Sequence, residues 1–141
     1  MKENTSNYRT ACHDAQKEHK GTFAFYIGID LGDKHSDVCV LDSGGEVSRR
    51  LRLRMKGADL QAYFTSIPRS QVALEAGGQS RWVAELVERC GHEVLVSNTR
   101  KVPHIYQSDD KDDPGDAYKL AELLYFKPRL LHPIQHRSQA T

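Results

Sequence analysis

The stretch Ala24-Phe25-Tyr26-Ile27-Gly28-Ile29-Asp30 decides the fold: a nearly unbroken apolar run that ends on a carboxylate. Central strands read this way, because a strand buried on both faces has no wet side and loses the polar–apolar alternation. Working downstream, Leu31-Gly32-Asp33-Lys34 supplies a turn and Ser36 to Leu41 a second strand. Asp42-Ser43-Gly44-Gly45 then turns the chain into a third strand, Val47 to Met55, completing an antiparallel meander. Working upstream, residues 1–22 are polar, mixed in charge and aperiodic; they read as a flexible polar leader with no assigned chemistry.

Beyond the meander the period changes. Leu60, Tyr63, Phe64 and Ile67 recur at helical spacing and stop at Pro68. Val72-Ala73-Leu74 runs as a short buried strand into Glu75, and Val83, Leu86, Val87 and Cys90 repeat the helical stripe up to Gly91, which suits the C′ position. Glu93 to Val96 forms another strand, Ser97 to Asp112 is polar and irregular, and Ala117, Leu120, Ala121 and Leu124 mark a last helix that ends before Pro128. The order βββαβαβα predicts an α/β domain with a mixed five-stranded sheet, antiparallel on one side and parallel on the other, with helices packed on it: an RNase H-like topology. The domain is expected over residues 23–130, with 131–141 a polar tail opening a further region.

At 141 residues, one self-sufficient core is the expectation. Lys and Arg number 20 against 19 for Asp and Glu, so net charge neither favours nor excludes a polyanionic partner. The three cysteines, Cys12, Cys39 and Cys90, are odd in number and widely spaced, which argues for reduced thiols and a cytoplasmic setting. No apolar run approaches the ~20 residues of a membrane span, and the N-terminus lacks a signal-peptide core.

The chemistry is carried by acids. In an open sheet, ligands gather where strand C-termini converge, and Asp30 and Glu75 end strands expected to be neighbours. Asp113 and Asp116 stand three residues apart at the start of the last helix and are expected to share its first turn. Carboxylates grouped in this way suit two-metal phosphodiester cleavage, with ions about 4 Å apart, and a set without His or Cys suits Mg²⁺. Each acid also has a plain reading. Asp113-Pro114-Gly115-Asp116 has the form of a helix start with Asp at the N-cap, and Asp30 can open a turn. Glu75 is harder to explain that way, because it ends a buried strand just before Ala76-Gly77-Gly78, where glycines permit close approach.

Tyr26-Ile27-Gly28-Ile29-Asp30-Leu31-Gly32-Asp33-Lys34-His35, Val72-Ala73-Leu74-Glu75-Ala76-Gly77-Gly78 and Lys111-Asp112-Asp113-Pro114-Gly115-Asp116-Ala117 together resemble the DEDD transposases of the insertion sequence 110 family, relatives of Piv-type DNA invertases. The likeness covers roughly residues 24–136 and includes Asn98-Thr99-Arg100-Lys101-Val102. Asp112 departs from it, standing where Thr or Ser is usual. The resemblance implies a RuvC-like domain whose metal-binding acids are Asp30, Glu75, Asp113 and Asp116, working with Mg²⁺ or Mn²⁺. It further implies DNA as substrate, a bridge RNA as guide, assembly into dimers or tetramers, and a second domain with a serine nucleophile. Because the sequence ends at Thr141, without room for that domain, the chain is expected to be nearly inactive alone.

Arg50, Arg52 and Arg54 alternate with Leu51, Leu53 and Met55, putting guanidinium groups along one face of the third strand. That row suits nucleic acid, and equally suits an edge strand protected against aggregation. Arg100, Lys101 and Lys111, with Lys127 and Arg129, are expected to add positive charge near the acids. Tyr63 and Phe64 fit the core better than a base-stacking surface, Ser80 fits a helix N-cap better than a nucleophile, and His35, His92 and His104 lack zinc-ligand spacing. Two rival functions use the same residues. An actin-like ATPase or sugar kinase shares Ile27-Gly28-Ile29-Asp30-Leu31-Gly32 but needs a second phosphate loop, and a non-catalytic RNA-binding or oligomerisation module would use the acids only as caps and turns.

Overall fold

The computed structural model describes residues 23–98 and 115–134. It contains β1 (Tyr26–Leu31), β2 (His35–Leu41), β3 (Val47–Arg54), α1 (Gly57–Thr65), β4 (Gln71–Glu75), α2 (Ser80–Arg89), β5 (Glu93–Ser97), α3 (Asp116–Phe126), a 3₁₀ turn (Pro128–Leu131) and β6 (Pro133–Ile134). The sheet order is β3-β2-β1-β4-β5-β6. β1 pairs antiparallel with β2 and parallel with β4, so the apolar run quoted above lies in the middle, where a two-sided strand belongs.

The expected order βββαβαβα holds through α3, but the sheet has six strands rather than five. β6 pairs antiparallel with β5, Val96 opposite Ile134 and Ser97 opposite Pro133. Two residues carry no periodic signal, which is why this strand hid within a polar stretch. The 3₁₀ turn leading to it buries Leu131 completely.

Strand alternation splits the core into two layers. Ile27, Ile29, Val38, Val40, Val72, Leu74 and Val96 face α1 and α2, packing with Leu60, Phe64, Val83 and Val87. Tyr26, Cys39, Leu41 and Ala73 face α3 and its Leu120, Ala121 and Leu124. The aromatic residues Tyr63 and Phe64 therefore serve packing, as expected, with Phe64 wholly buried.

The placement of α3 depends on missing side-chain volume. A Cβ on Gly28 would collide with the Ala117 carbonyl and the Ala121 amide, so helix backbone lies directly on β1. α3 runs antiparallel to β1, since Tyr26 stacks edge-on with Tyr125 near its C-terminal end while Gly28 meets Ala117 and Ala121. That direction brings the first residue of α3 to the C-terminal end of β1.

Turn chemistry accounts for the remaining boundaries. Asp42 Oδ1 accepts from the Gly44 and Glu46 amides at 2.9 and 3.0 Å, and Gly45 takes φ +84°, closing the β2–β3 hairpin. Gly91 takes φ +103° after α2, as expected of a C′ glycine. Ser80 is the first residue of α2 rather than its N-cap, which is Gln79; its Oγ donates to the Gly77 carbonyl and accepts from the Gly77 amide. Cys39 is buried and Cys90 half-buried, both free thiols. Among the described residues, no helix is long and apolar enough to cross a membrane.

Candidate active site

Asp30 is the fifth residue of β1 and Glu75 the last of β4, and the register Ile29 opposite Leu74 sets the two acids side by side on the next step. Both follow residues that face α1 and α2, so strand alternation turns both towards α3. There they meet Asp116, the first residue of that helix. Burial and the negative charges of Asp116 and Asp37 push the Asp30 carboxyl above its usual range. Burial and the charges of Asp116 and Asp30 do the same to Glu75. The charge of Asp116 thus acts on two acids read from separate segments of the sequence, at one end of one sheet face.

They gather without closing into a shell. Among the described residues, no group of three or more His, Cys, Asp or Glu side chains is close enough to hold a metal ion as placed. The donors at this end are all carboxylate oxygens, the kind that hard divalent cations prefer, so their chemistry fits Mg²⁺ or Mn²⁺. Asp113 lies outside the described residues, as do Arg100, Lys101, Lys111 and His104.

The expected helix start is corrected. α3 begins at Asp116 with Gly115 at the N-cap, at φ +96° and ψ 172°, a conformation that glycine alone takes easily. Gly115 thus takes the N-cap position expected of Asp113, which itself lies outside the described residues. Lys127 and Arg129 also fall away from the acids, because they follow the far end of α3, an eleven-residue helix and so roughly 16 Å long at about 1.5 Å per residue.

The arginine row divides. Arg50, Arg52 and Arg54 are exposed while Leu51, Leu53 and Met55 pack inward, as alternation requires. Arg52 donates to Asp37 at 2.9 Å and Arg50 lies over the Tyr118 ring, whereas Arg54 donates to Asp59 of α1 at 2.7 Å. Arg50 and Arg52, with Asp30, Asp37, Gly115 and Asp116, line a cleft of about 360 Å³.

Asp37 is the residue that reading the sequence missed. It stands directly across from Asp30 in the β1–β2 register. Counting back from the Gly32-Asp33-Lys34 turn would have found the pair, because opposed positions of a hairpin share a face. His92, by contrast, is a buried structural residue: its Nδ1 accepts from the Ser70 amide at 3.0 Å and its Nε2 meets the Phe64 carbonyl at 2.6 Å.

A comparison with curated proteins finds no match for the chain. The family model for the DEDD transposases of insertion sequence 110, described as a transposase, matches residues 27–141. That match takes in β1, β4 and the start of α3, the three segments that meet at the acids, and with it the conclusion is direct: the chain belongs to the insertion sequence 110 family of DEDD transposases.

Proposed function

We propose that this chain is the metal-dependent catalytic domain of a DNA transposase, RNase H-like (RuvC-like) in fold, whose Asp30, Glu75 and Asp116, completed by Asp113, hold Mg²⁺ or Mn²⁺ against a phosphate of the substrate. Membership in a transposase family supplies the DNA-cutting and joining activity in broad terms. The observation that carries the finer reading is that burial and the charge of Asp116 hold both Asp30 and Glu75, on adjacent strand ends, above the ordinary carboxylate range. Structural acids are usually relieved by a cationic partner; among the described residues, the charges that act on these two are those of other acids.

The chain's own residues have separable tasks. Asp30 and Glu75 sit on neighbouring parallel strands, so the sheet fixes their spacing, as a phosphoryl-transfer site requires. Asp116 is carried on a helix seated against Gly28 and moves only if that packing moves. Bound divalent cations would supply Lewis-acid stabilisation of charge at the phosphate. In this reading a bridge RNA selects the DNA, chains assemble as dimers or tetramers, and a serine on a second domain attacks the phosphate. The mixed sheet, with its antiparallel meander beside parallel strands, supports the RNase H-like assignment.

The test uses a protein carrying both domains, its guide RNA and its DNA. Asp30→Ala or Glu75→Ala should abolish recombination while circular dichroism stays native. Normal strand exchange by both variants overturns the assignment.

A further inference from the structure

The cleft that Asp30, Asp37 and Asp116 line is also lined by Arg50, Leu51 and Arg52 of β3. At about 360 Å³ it falls within the range of about 300–1,000 Å³ typical of small-ligand sites, with room for a piece of sugar-phosphate backbone rather than a whole duplex. Two guanidinium groups reach it, because Arg50 and Arg52 occupy alternate positions of one strand.

Each is aimed by a neighbour. The Arg52 Nε donates to Asp37 Oδ1 at 2.9 Å, a bond that leaves the terminal nitrogens of the fork outside it. Arg50 lies 5.4 Å from the centre of the Tyr118 ring, on the first turns of α3. The Arg52–Asp37 side chains are 66% and 52% exposed, so the pair is a weak one that orients the arginine without consuming its charge. Gly115 and Ala117 line the opposite wall, so the positive end of the α3 dipole opens on the same space. Arg54 takes no part: it is turned to Asp59 and lies outside the lining.

We infer that this cleft binds a phosphate of the DNA strand adjacent to the one that is cut, with Arg50 and Arg52 as its ligands and Asp37 and Tyr118 as positioning residues that aim them. The inference rests on the transposase reading of the acids, since the acids put the reacting phosphate at the mouth of the cleft. It divides a uniform-looking basic strand into two residues that grip substrate and one that ties β3 to α1. It also gives Asp37 a task distinct from metal binding, although it faces Asp30.

The experiment measures binding of a fluorescein-labelled DNA duplex by anisotropy, across a salt series in EDTA, for the wild-type chain and variants whose melting is native. Arg50→Ala/Arg52→Ala should weaken binding by about ten-fold or more, and flatten the log–log salt slope by about 0.9 for each phosphate that is no longer neutralised. Arg52→Lys keeps the charge but loses the fork, and should fall between wild type and Arg52→Ala. Arg54→Ala should bind as wild type does. Equal affinity and slope in wild type and the Arg50/Arg52 variants, or a loss at Arg54 as large as at Arg52, overturns the inference. A parallel titration with Mg²⁺ or Mn²⁺, read by thermal shift, separates the two ideas. A wild type indifferent to metal sinks the reading of the acids, while arginine variants that bind normally in a metal-responsive protein sink the cleft alone.

Discussion

Asp30 and Glu75 are placed where ionisation is costly, and this sets the sign of their effect on stability. Both carboxyls are raised in the folded chain by burial and neighbouring acids, whereas in the unfolded chain they titrate near about 3.9 and 4.3. The folded state therefore holds protons over a pH window in which the unfolded state has released them. The resulting stabilisation is complete below the unfolded values and is lost as pH rises through the raised folded ones. At neutral pH in EDTA, Asp30→Asn should consequently melt a few degrees above wild type, with the gap closing towards pH ~4. Thermal melts at the two pH values check this, and a variant less stable than wild type at neutral pH contradicts it. Ser36 offers an independent case. Its Oγ is buried and has no hydrogen-bond partner among the described residues. Ser36→Ala removes an unsatisfied hydroxyl and should leave the unfolding free energy from urea denaturation unchanged or raised by up to about 1 kcal/mol; a loss of that size would reveal a hydroxyl that is in fact used.

Elements bring these residues together, and the contact between α3 and β1 matters most. Gly28 has no space for a Cβ, because the Ala117 carbonyl and Ala121 amide occupy it. Gly28→Ala must push α3 off the sheet, at about 3 kcal/mol or more, since backbone rather than a flexible side chain obstructs the methyl group. The same displacement should draw Asp116 away from Asp30. The gain from Asp30→Asn should therefore shrink in the Gly28→Ala background, a coupling that a double-mutant cycle of melting data reads directly; strict additivity would mean that α3 does not set the distance between the acids. Gly28 also bears on the rival ATP-binding reading, for its missing side chain makes way for a helix and not for a phosphate. This is where legibility from sequence reaches its limit. The run from Tyr26, the helical stripes of α1, α2 and α3 and the acids ending β1 and β4 follow from local period, so they can be read directly. The Asp30–Asp37 opposition depends on hairpin register, and Gly28 matters only through a helix nearly ninety residues later in the chain. The helix start is misread because Asp-Pro has the form of an N-cap pair, while the N-cap is Gly115, at positive φ, two residues further on.

At the scale of the whole molecule, the C-terminal turn closes the sheet beyond the last residue that periodicity could assign. Leu131 is fully buried in the α3 layer, its carbonyl accepts from Ser97 Oγ at 2.9 Å and from the Asn98 amide at 3.1 Å, and β6 follows at once. Ser97 lies opposite Glu75 in the parallel β4–β5 register, and its carbonyl accepts from the Ala76 amide at 2.8 Å. The turn thus braces the end of β5, and β5 braces the strand end that carries a catalytic candidate. Leu131→Ala removes the side chain but keeps the carbonyl, and should cost about 2–5 kcal/mol as a buried leucine truncation. A chain stopped after Leu130 loses the side chain, both hydrogen bonds and the β6 pairing, so it should be less stable still, and its Glu75 less firmly held. Urea denaturation of the three proteins orders them, and amide exchange at Ala76 and Ser97 reports whether the loss reaches the acid end of the sheet. If the shortened chain matched the full one in both measurements, the turn would be an appendage and the acids would owe their placement to β1, β4 and α3 alone.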